Sequence, residues 1–249
     1  MNNQKYPELC RRITELCENP KYEYRKVKNE LIQLFQELER ESINEIDDLL
    51  EVIDLHRRLC KIKNRKASYI ENEIGRRILV DLPFSIRMVD EAIPEGVVEK
   101  LQDKYDPDER IALRLSSELL KYGKELMSSK EDKSKRYKNR IKEGIRMLNE
   151  LQQFYEIEGI KEIFKSRITD EDTDLQFFAL YGLEIYYAHE NVSELKEEEE
   201  EELERIIDST KSRETASTCC QILINSGKID EFGAMTRIDD WKDRNWSSN

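Results

Sequence analysis

The 249-residue sequence contains few of the residues that interrupt regular structure, with only 8 glycines and 5 prolines. Because turns and strand ends consume both residue types, this scarcity predicts few connections and long elements between them. The sequence also lacks any run of about 18 apolar residues, so we expect no membrane span and no membrane partner. Long elements without such runs predict an all-α protein whose helices each carry one apolar and one charged face.

The first residues lack the apolar core of a secretory signal, which predicts a cytoplasmic protein. The five cysteines are odd in number and contain no C-x-x-C pair, and only two histidines accompany them. This combination favours neither a disulfide framework nor a zinc site, so we expect no metal ion and no other cofactor.

Motifs typical of catalysis are also missing, including those of phosphate-binding loops, serine hydrolases, zinc proteases and EF-hands. Pairs of acidic residues are abundant, but they have no diagnostic weight in a chain of which 39% is charged. His56 lies on an apolar stripe, and we interpret it as a packed core histidine rather than a catalytic base. We therefore predict that the protein is not an enzyme. The competing hypothesis is a helical enzyme with a scattered carboxylate site.

The first half of the chain has the 3.6-residue period of helices, most clearly between residues 22 and 39, where the apolar stripe consists of Val27, Leu31, Leu34, Phe35 and Leu38. The pattern weakens between residues 76 and 94, which Pro83 and Pro94 interrupt. We therefore predict a helical region at 1–94 and a second helical region at 95–249. The alternative is one continuous domain.

Two segments near the C-terminus share a pattern of apolar and small residues. The first consists of Leu175, Phe178, Ala179, Gly182, Leu183 and Tyr186. The same spacing recurs 41 residues later at Ala216, Cys219, Cys220, Leu223, Ile224 and Gly227. The segments that precede them also correspond, at 160–166 and 203–209.

A unit of about forty residues with two helices, small residues on the buried face and a short turn resembles a HEAT or armadillo-like repeat. The resemblance covers roughly residues 144–230, although the proline kink and the fixed aspartate and arginine of that family are not clearly reproduced. It implies antiparallel helix pairs stacked as an α-solenoid, which follows a helical bundle in the N-terminal part. The alternative is that amphipathic helices share these spacings by chance.

The net charge of −12 argues against wrapping of nucleic acid by electrostatics alone. Two stretches, 57–77 and 130–146, are nevertheless basic. Their candidate phosphate contacts are Arg65, Lys66, Arg136, Lys138 and Arg140. The alternative is an ordinary solvent-facing helix surface.

The acidic run at 197–202 either engages a basic partner or is a solvated helix start. Both tryptophans lie in the last residues of the chain, where they either cap the last repeat or anchor a partner. The candidate partner-binding residues are Trp241, Trp246, Tyr187, Glu198, Glu199 and Glu201.

These patterns favour a non-catalytic protein–protein interaction module that acts as an adaptor, a regulator or an inhibitor. In its more specific form, this is an acidic, immunity-like protein that masks a basic partner. The alternative hypothesis is an accessory subunit of a nucleic-acid-associated complex, which contacts phosphates through the stretches 57–77 and 130–146.

Overall fold

The structure is a computed structural model that describes residues 5–40, 46–82, 111–128, 134–153, 157–189 and 194–246. These ranges are helical and contain no β-strand, which confirms the all-α class. Every helix in them is too short or too polar to cross a membrane. The predicted boundary at residue 94 and residues 130–133 of the second basic stretch lie outside the described residues.

The chain divides into two compact units, unit 1 at Met1–Leu151 and unit 2 at Gln152–Asn249. The helices that begin in unit 1 are α1 (Lys5–Glu18), α2 (Tyr24–Arg40), α3 (Ile46–Lys61), α4 (Arg65–Ile74), a π-helix (Gly75–Leu79), α5 (Ile111–Met127) and α6 (Lys135–Gln152). Helix α1 packs against α2 and α3, and α3 also contacts α4 and α5. The five residues of the predicted α2 stripe are its buried residues, so that prediction is confirmed.

The start of α4 is set by Asn64, whose side-chain oxygen accepts a hydrogen bond from the Ala67 amide at 2.9 Å. Its side-chain nitrogen donates to the Cys17 carbonyl at 2.8 Å, which ties the beginning of α4 to the end of α1. Helix α4 passes directly into the π-helix at Gly75. The apolar period weakens in the sequence where this change of helix type occurs.

Helices α5 and α6 approach closely where Gly123 faces Gly144. A Cβ atom on Gly144 would lie 3.0 Å from the Gly123 carbonyl oxygen and 3.1 Å from the Leu126 Cβ. The absence of side chains here lets the two backbones meet. The polar side chains of α6 contact α3 and α4.

Unit 2 contains α7 (Ile160–Lys165), α8 (Thr173–Ala188), α9 (Glu197–Ser209), α10 (Arg213–Asn225) and α11 (Glu231–Trp246). Helices α8 and α10 begin at Asp172 and Ser212, whose side chains accept hydrogen bonds from amides three residues later. Helix α8 packs against α7 and α10, and α10 also packs against α9 and α11.

Gly227 differs from the sequence prediction that placed it on the buried face of a helix. It follows the end of α10, is exposed, and has a φ of 72°. Its amide donates to the Ile224 carbonyl, and the Lys228 amide donates to the Leu223 carbonyl, each at 2.9 Å. Gly227 therefore terminates α10 in a Schellman motif, for which glycine is favoured because the backbone is left-handed. The other small residues of the pattern, Ala179, Gly182 and Ala216, are buried as predicted.

Candidate functional site

Polar side chains from four helices meet inside unit 1. We call them the polar cluster, and its members are His56 and Cys60 of α3, Glu71 of α4, Tyr122 of α5, and Arg136, Arg140 and Glu143 of α6. His56, Glu71 and Glu143 are buried, and so is the Tyr122 ring. The burial of His56 agrees with its interpretation as a packed histidine. Since buried polar groups lose their water, these side chains depend on one another for partners.

The His56 ring lies at the centre of the polar cluster. Its Nδ1 is 2.5 Å from the Tyr122 hydroxyl, and the Cys60 Sγ lies 3.8 Å from the same nitrogen. On the other side of the ring, Nε2 is 3.6 Å from Glu143 Oε2. His56 and Cys60 share one face of α3 because they are four residues apart.

Glu71 accepts hydrogen bonds from Arg136 and Arg140, and the Cys60 thiol donates to its Oε1 at 3.3 Å. The same guanidinium groups donate to carbonyls near the end of α3. Arg136 reaches the Ile62 oxygen at 2.6 Å, and Arg140 reaches the Cys60 oxygen at 2.8 Å. The two arginines therefore hold α6 against the C-terminal end of α3, where helix carbonyls lack partners.

The surroundings in the polar cluster shift the pKa values of its members. Burial by itself would lower the pKa of His56, but Tyr122, Cys60 and Glu143 raise it well above its usual value. Burial raises the pKa of Glu143, and it raises the pKa of Tyr122 to about 12. Tyr122 is therefore a neutral hydroxyl at physiological pH.

Gly75, the first residue of the π-helix, provides the space for the Glu143 carboxylate. A Cβ atom on Gly75 would lie 2.3 Å from the Glu143 Cδ. The Gly75 backbone is ordinary right-handed helix, so glycine is needed here for space and not for conformation. π-helical turns are frequent at functional sites.

Three side chains of the polar cluster are of the types that bind transition metals. The candidate ligand atoms of His56, Cys60 and Glu71 all lie within 4.8 Å of one another. Imidazole, thiolate and carboxylate are the protein ligands of zinc. The sequence predicted no zinc site. The signal that it did contain was the His-x-x-x-Cys spacing on one helix face.

The predicted phosphate contacts lie in several different surroundings. Lys66 is buried, and its Nζ donates to the Asn19 carbonyl at 2.7 Å. Arg136 and Arg140 are brought together on Glu71. Arg65 is exposed and lies 4.7 Å above the Tyr24 ring, while Lys138 is half-buried.

In unit 2, two predicted partner-binding residues form an internal contact. Glu199 is buried, and its Oε2 accepts hydrogen bonds from the Tyr187 hydroxyl at 3.2 Å and from the Lys196 amide at 3.0 Å. Lys161 and Lys165 pair with the same carboxylate at 3.0 and 2.6 Å. The carboxylate therefore joins α7, α8 and the start of α9.

These contacts change the pKa values of Glu199 and Tyr187. Burial by itself would raise the pKa of Glu199, but Lys165, the Lys196 amide and Lys161 lower it to about 2. Burial and the adjacent Glu199 carboxylate raise the pKa of Tyr187. Glu199 thus remains charged and Tyr187 neutral over the physiological range.

The other acids of the run at 197–202 have different environments. Glu198 and Glu201 are exposed, as the partner-binding prediction requires. Glu200 pairs with Lys228 at 3.3 Å, and Glu202 pairs with Arg205 at 2.7 Å. The run is thus part internal contact and part solvated surface.

The two tryptophans lie on different faces of α11. Trp241 is only 1% exposed, and its indole nitrogen donates to the Thr210 carbonyl at 2.8 Å. Trp246 is 57% exposed, and its ring meets that of Trp241 edge to face with centroids 5.8 Å apart. Of the pair, Trp246 is therefore the one that a partner can reach.

Two further large apolar side chains, Phe232 and Met235, are 77% and 64% exposed on the same helix. They lie 14 and 11 residues before Trp246, close to whole numbers of helical turns, so all three share one face. We call Phe232, Met235 and Trp246 the apolar stripe. Phe232 and Met235 were not among the predicted partner-binding residues, although their helical spacing from Trp246 places them on its face.

A groove of about 390 Å³ runs between α10 and α11, beside the apolar stripe. Its walls come from both helices and include Arg213, Ser217, Gln221, Ile224, Met235, Ile238 and Lys242. Met235 thus belongs both to the groove and to the apolar stripe.

No protein-family model, curated protein or solved structure matches this chain. Function is therefore inferred from the geometry of the polar cluster and of α11.

Proposed function

We propose that this chain is a non-catalytic protein-interaction module, an adaptor, regulator or inhibitor that binds its partner through the apolar stripe of α11. The observation that carries the proposal is the exposure of Phe232, Met235 and Trp246, each by more than half, on one helix face. Phe232 and Met235 are neighbours on this face, and Trp246 lies about 16 Å further along it, beyond Asp239 and Lys242. Large apolar side chains grouped on an exposed face commonly mark an interaction site. Tryptophan is also among the residues that contribute most to binding at interfaces.

We also propose that α7 to α11 form a stack of HEAT-like antiparallel helix pairs. The packing of α8 on α10 supports this, and so does the hydrogen bond at 3.1 Å from Asn225 to the carbonyl of Glu184, 41 residues earlier. In such a stack α11 is the first helix of a pair, and no helix follows it in the described residues. A terminal unit normally has a polar outer face, and α11 instead presents the apolar stripe.

The occupant that fits this surface is an amphipathic helix of a partner protein with basic residues beside its apolar face. Helix α10 packs against its own pair partner α9 and against α8 of the preceding pair. A partner helix in the α10–α11 groove would pack against α11 and α10 in the same way. The exposed acids near the apolar stripe are Asp230, Glu231, Asp239, Asp240 and Asp243. The bases of α11 are all paired with acids: Arg237 with Glu204, Lys242 with Asp239 and Arg244 with Asp208. Together with the net charge of −12, this favours a basic partner.

The proposal is tested by affinity capture from the protein's own cells, in which the wild type is compared with a variant that lacks the apolar stripe. The test variant carries Phe232→Ala, Met235→Ala and Trp246→Ala. The control carries Tyr22→Ala and Tyr181→Ala, which remove exposed aromatic rings elsewhere. We expect one protein to bind the wild type and the control but not the test variant. The purified partner should bind the test variant at least about tenfold more weakly. Large apolar side chains at the centre of an interface contribute about 1.4 kcal/mol or more to the free energy of binding.

Binding of the purified partner should also shift Trp246 fluorescence, because that ring leaves water while Trp241 is already buried. The proposal would be contradicted if the wild type, the control and the test variant all captured the same proteins. It would also be contradicted if the wild type captured no protein at either low or high salt.

The alternative, an accessory subunit that contacts phosphates, receives less support. Lys66, Arg136 and Arg140 already donate hydrogen bonds inside unit 1. Titration with labelled RNA and DNA at about 50 mM salt tests it, because phosphate binding must weaken steeply as salt rises.

A further inference from the structure

We propose that the polar cluster of unit 1 binds a divalent transition-metal ion of the zinc type through His56 Nδ1, Cys60 Sγ and a Glu71 carboxylate oxygen. The ion would link α3 to α4. This proposal is independent of the proposed function, since its residues lie in unit 1 and the apolar stripe lies in unit 2.

The spacing of the three ligand atoms suits a tetrahedral site. Sγ lies 3.8 Å from His56 Nδ1 and 3.3 Å from Glu71 Oε1, and all three atoms lie within 4.8 Å of one another. Zinc bonds of about 2.3 Å to sulfur and about 2.0 Å to nitrogen or oxygen require ligand atoms roughly 3.3–3.6 Å apart. Small side-chain movements would therefore complete the coordination.

A carboxylate, that of Glu143, lies beside the ring nitrogen of His56 that would not bind the ion, as is usual for metal-binding histidines. Nε2 is 3.6 Å from Glu143 Oε2, and among the described residues neither atom has a hydrogen-bond partner. A histidine that binds metal through one nitrogen normally donates from the other to such a group, which fixes the ring. Gly75 keeps the space for this carboxylate. On the other side of the ring, Nδ1 lies 3.8 Å from Cys60 Sγ.

The surrounding charges set the expected strength of binding. A bound ion requires the Cys60 thiolate, and with Glu71 and Glu143 this supplies three negative charges. The ion and the two guanidinium groups of Arg136 and Arg140 supply four positive charges. We therefore expect an affinity below that of cysteine-rich structural zinc sites.

The Tyr122 hydroxyl lies at the nitrogen that would bind the ion. It is 2.5 Å from Nδ1, and this hydrogen bond must be given up when Nδ1 binds the ion.

Cobalt titration of the full chain, after removal of metal with a chelator, tests the proposal. We expect one Co²⁺ per chain, a thiolate-to-cobalt charge-transfer band in the near ultraviolet, and displacement of Co²⁺ by Zn²⁺. Cys60→Ser should abolish the band, and His56→Gln should weaken binding by at least about tenfold. The matched controls are Cys10→Ser and His189→Gln, which alter another buried cysteine and the only other histidine. Both should bind Co²⁺ as the wild type does.

Absence of the charge-transfer band in the wild type would overturn the proposal, because the ion would then lie on carboxylates without the thiolate. Equal weakening in the matched controls would overturn it too. If Cys60→Ser or His56→Gln fails to fold by circular dichroism, the wild-type spectrum and stoichiometry still decide the question.

Discussion

At the scale of single residues, a buried carboxylate with several cationic neighbours contributes more than an exposed one in the same run. Glu199 and Glu198 are adjacent in the sequence, yet Glu199 is buried among lysines and Glu198 is exposed. Ion pairs at exposed positions contribute little to stability, whereas removal of one partner from a buried pair leaves an uncompensated charge.

We expect Glu199→Gln to destabilise unit 2 at neutral pH, and Glu198→Gln to change its stability by less than about 0.5 kcal/mol. The pKa of Glu199 is about 2 in the folded chain, below the ordinary value of 4.5. The carboxylate therefore stabilises the folded state fully above pH 4.5, by about 3 kcal/mol from the size of that shift. This contribution is lost as the pH falls from 4.5 towards 2.

Urea unfolding of the wild type and both variants at pH 7 and at pH 3, followed by tryptophan fluorescence, measures this effect. The gap between wild type and Glu199→Gln should narrow at pH 3, because the carboxyl group is then protonated in the unfolded chain but still ionised in the folded one, so unfolding takes up a proton and is favoured. Equal midpoints for the wild type and Glu199→Gln at pH 7 would contradict the prediction.

At the scale of elements, the crossing of α5 and α6 depends on two glycines that are not equivalent. A Cβ on Gly144 would meet the Gly123 carbonyl oxygen and the Leu126 Cβ, neither of which can turn away. A Cβ on Gly123 would lie 3.2 Å from the Leu148 Cδ2, the end of a flexible side chain. The backbone around Gly144 is therefore the more constrained of the two.

We expect Gly144→Ala to destabilise unit 1 by about 1–2 kcal/mol, because the cost of overpacking exceeds the gain in helix propensity of nearly 1 kcal/mol. Gly123→Ala should be close to neutral or stabilising, since Leu148 can adjust. Chemical unfolding followed by circular dichroism compares the two variants. If Gly123→Ala were the less stable variant, the tightest contact between α5 and α6 would not lie at Gly144.

At the scale of the whole molecule, each unit has its own buried core, and only unit 2 contains tryptophan. Fluorescence therefore reports on unit 2 alone, while circular dichroism reports on both units. Since the chain divides into two compact units, we expect them to unfold in separable transitions.

Leu31→Ala and Leu203→Ala test this expectation, because both remove a buried leucine and should cost about 2–5 kcal/mol each. Leu203→Ala should lower the urea midpoint seen by fluorescence, and Leu31→Ala should leave it unchanged while lowering a midpoint seen by circular dichroism. A shift of the fluorescence midpoint by Leu31→Ala would instead mean that the units unfold together.

Periodicity in the sequence was sufficient to predict the helices and the buried face of α2, because both depend on residues within a few turns of one another. The prediction named both Trp241 and Trp246 as partner-binding residues, although they lie on different faces of α11 and only Trp246 is exposed. Periodicity did not indicate that Gly227 terminates α10, since the 41-residue spacing matched it to a buried position. An apolar period does not distinguish the last residue on a helix face from the first residue beyond the helix.

The amino-acid sequence by itself determined the all-α class, the faces of the helices and the neighbouring positions of His56 and Cys60 on α3. Only the tertiary structure brought Glu71, Tyr122 and Glu143 to that histidine and buried Glu199 among lysines from another helix. Local periodicity arises from contacts within one helix, whereas the environment of a charge depends on residues distant in the chain. That environment decides whether an acid is solvated surface, an internal ion pair or a metal ligand.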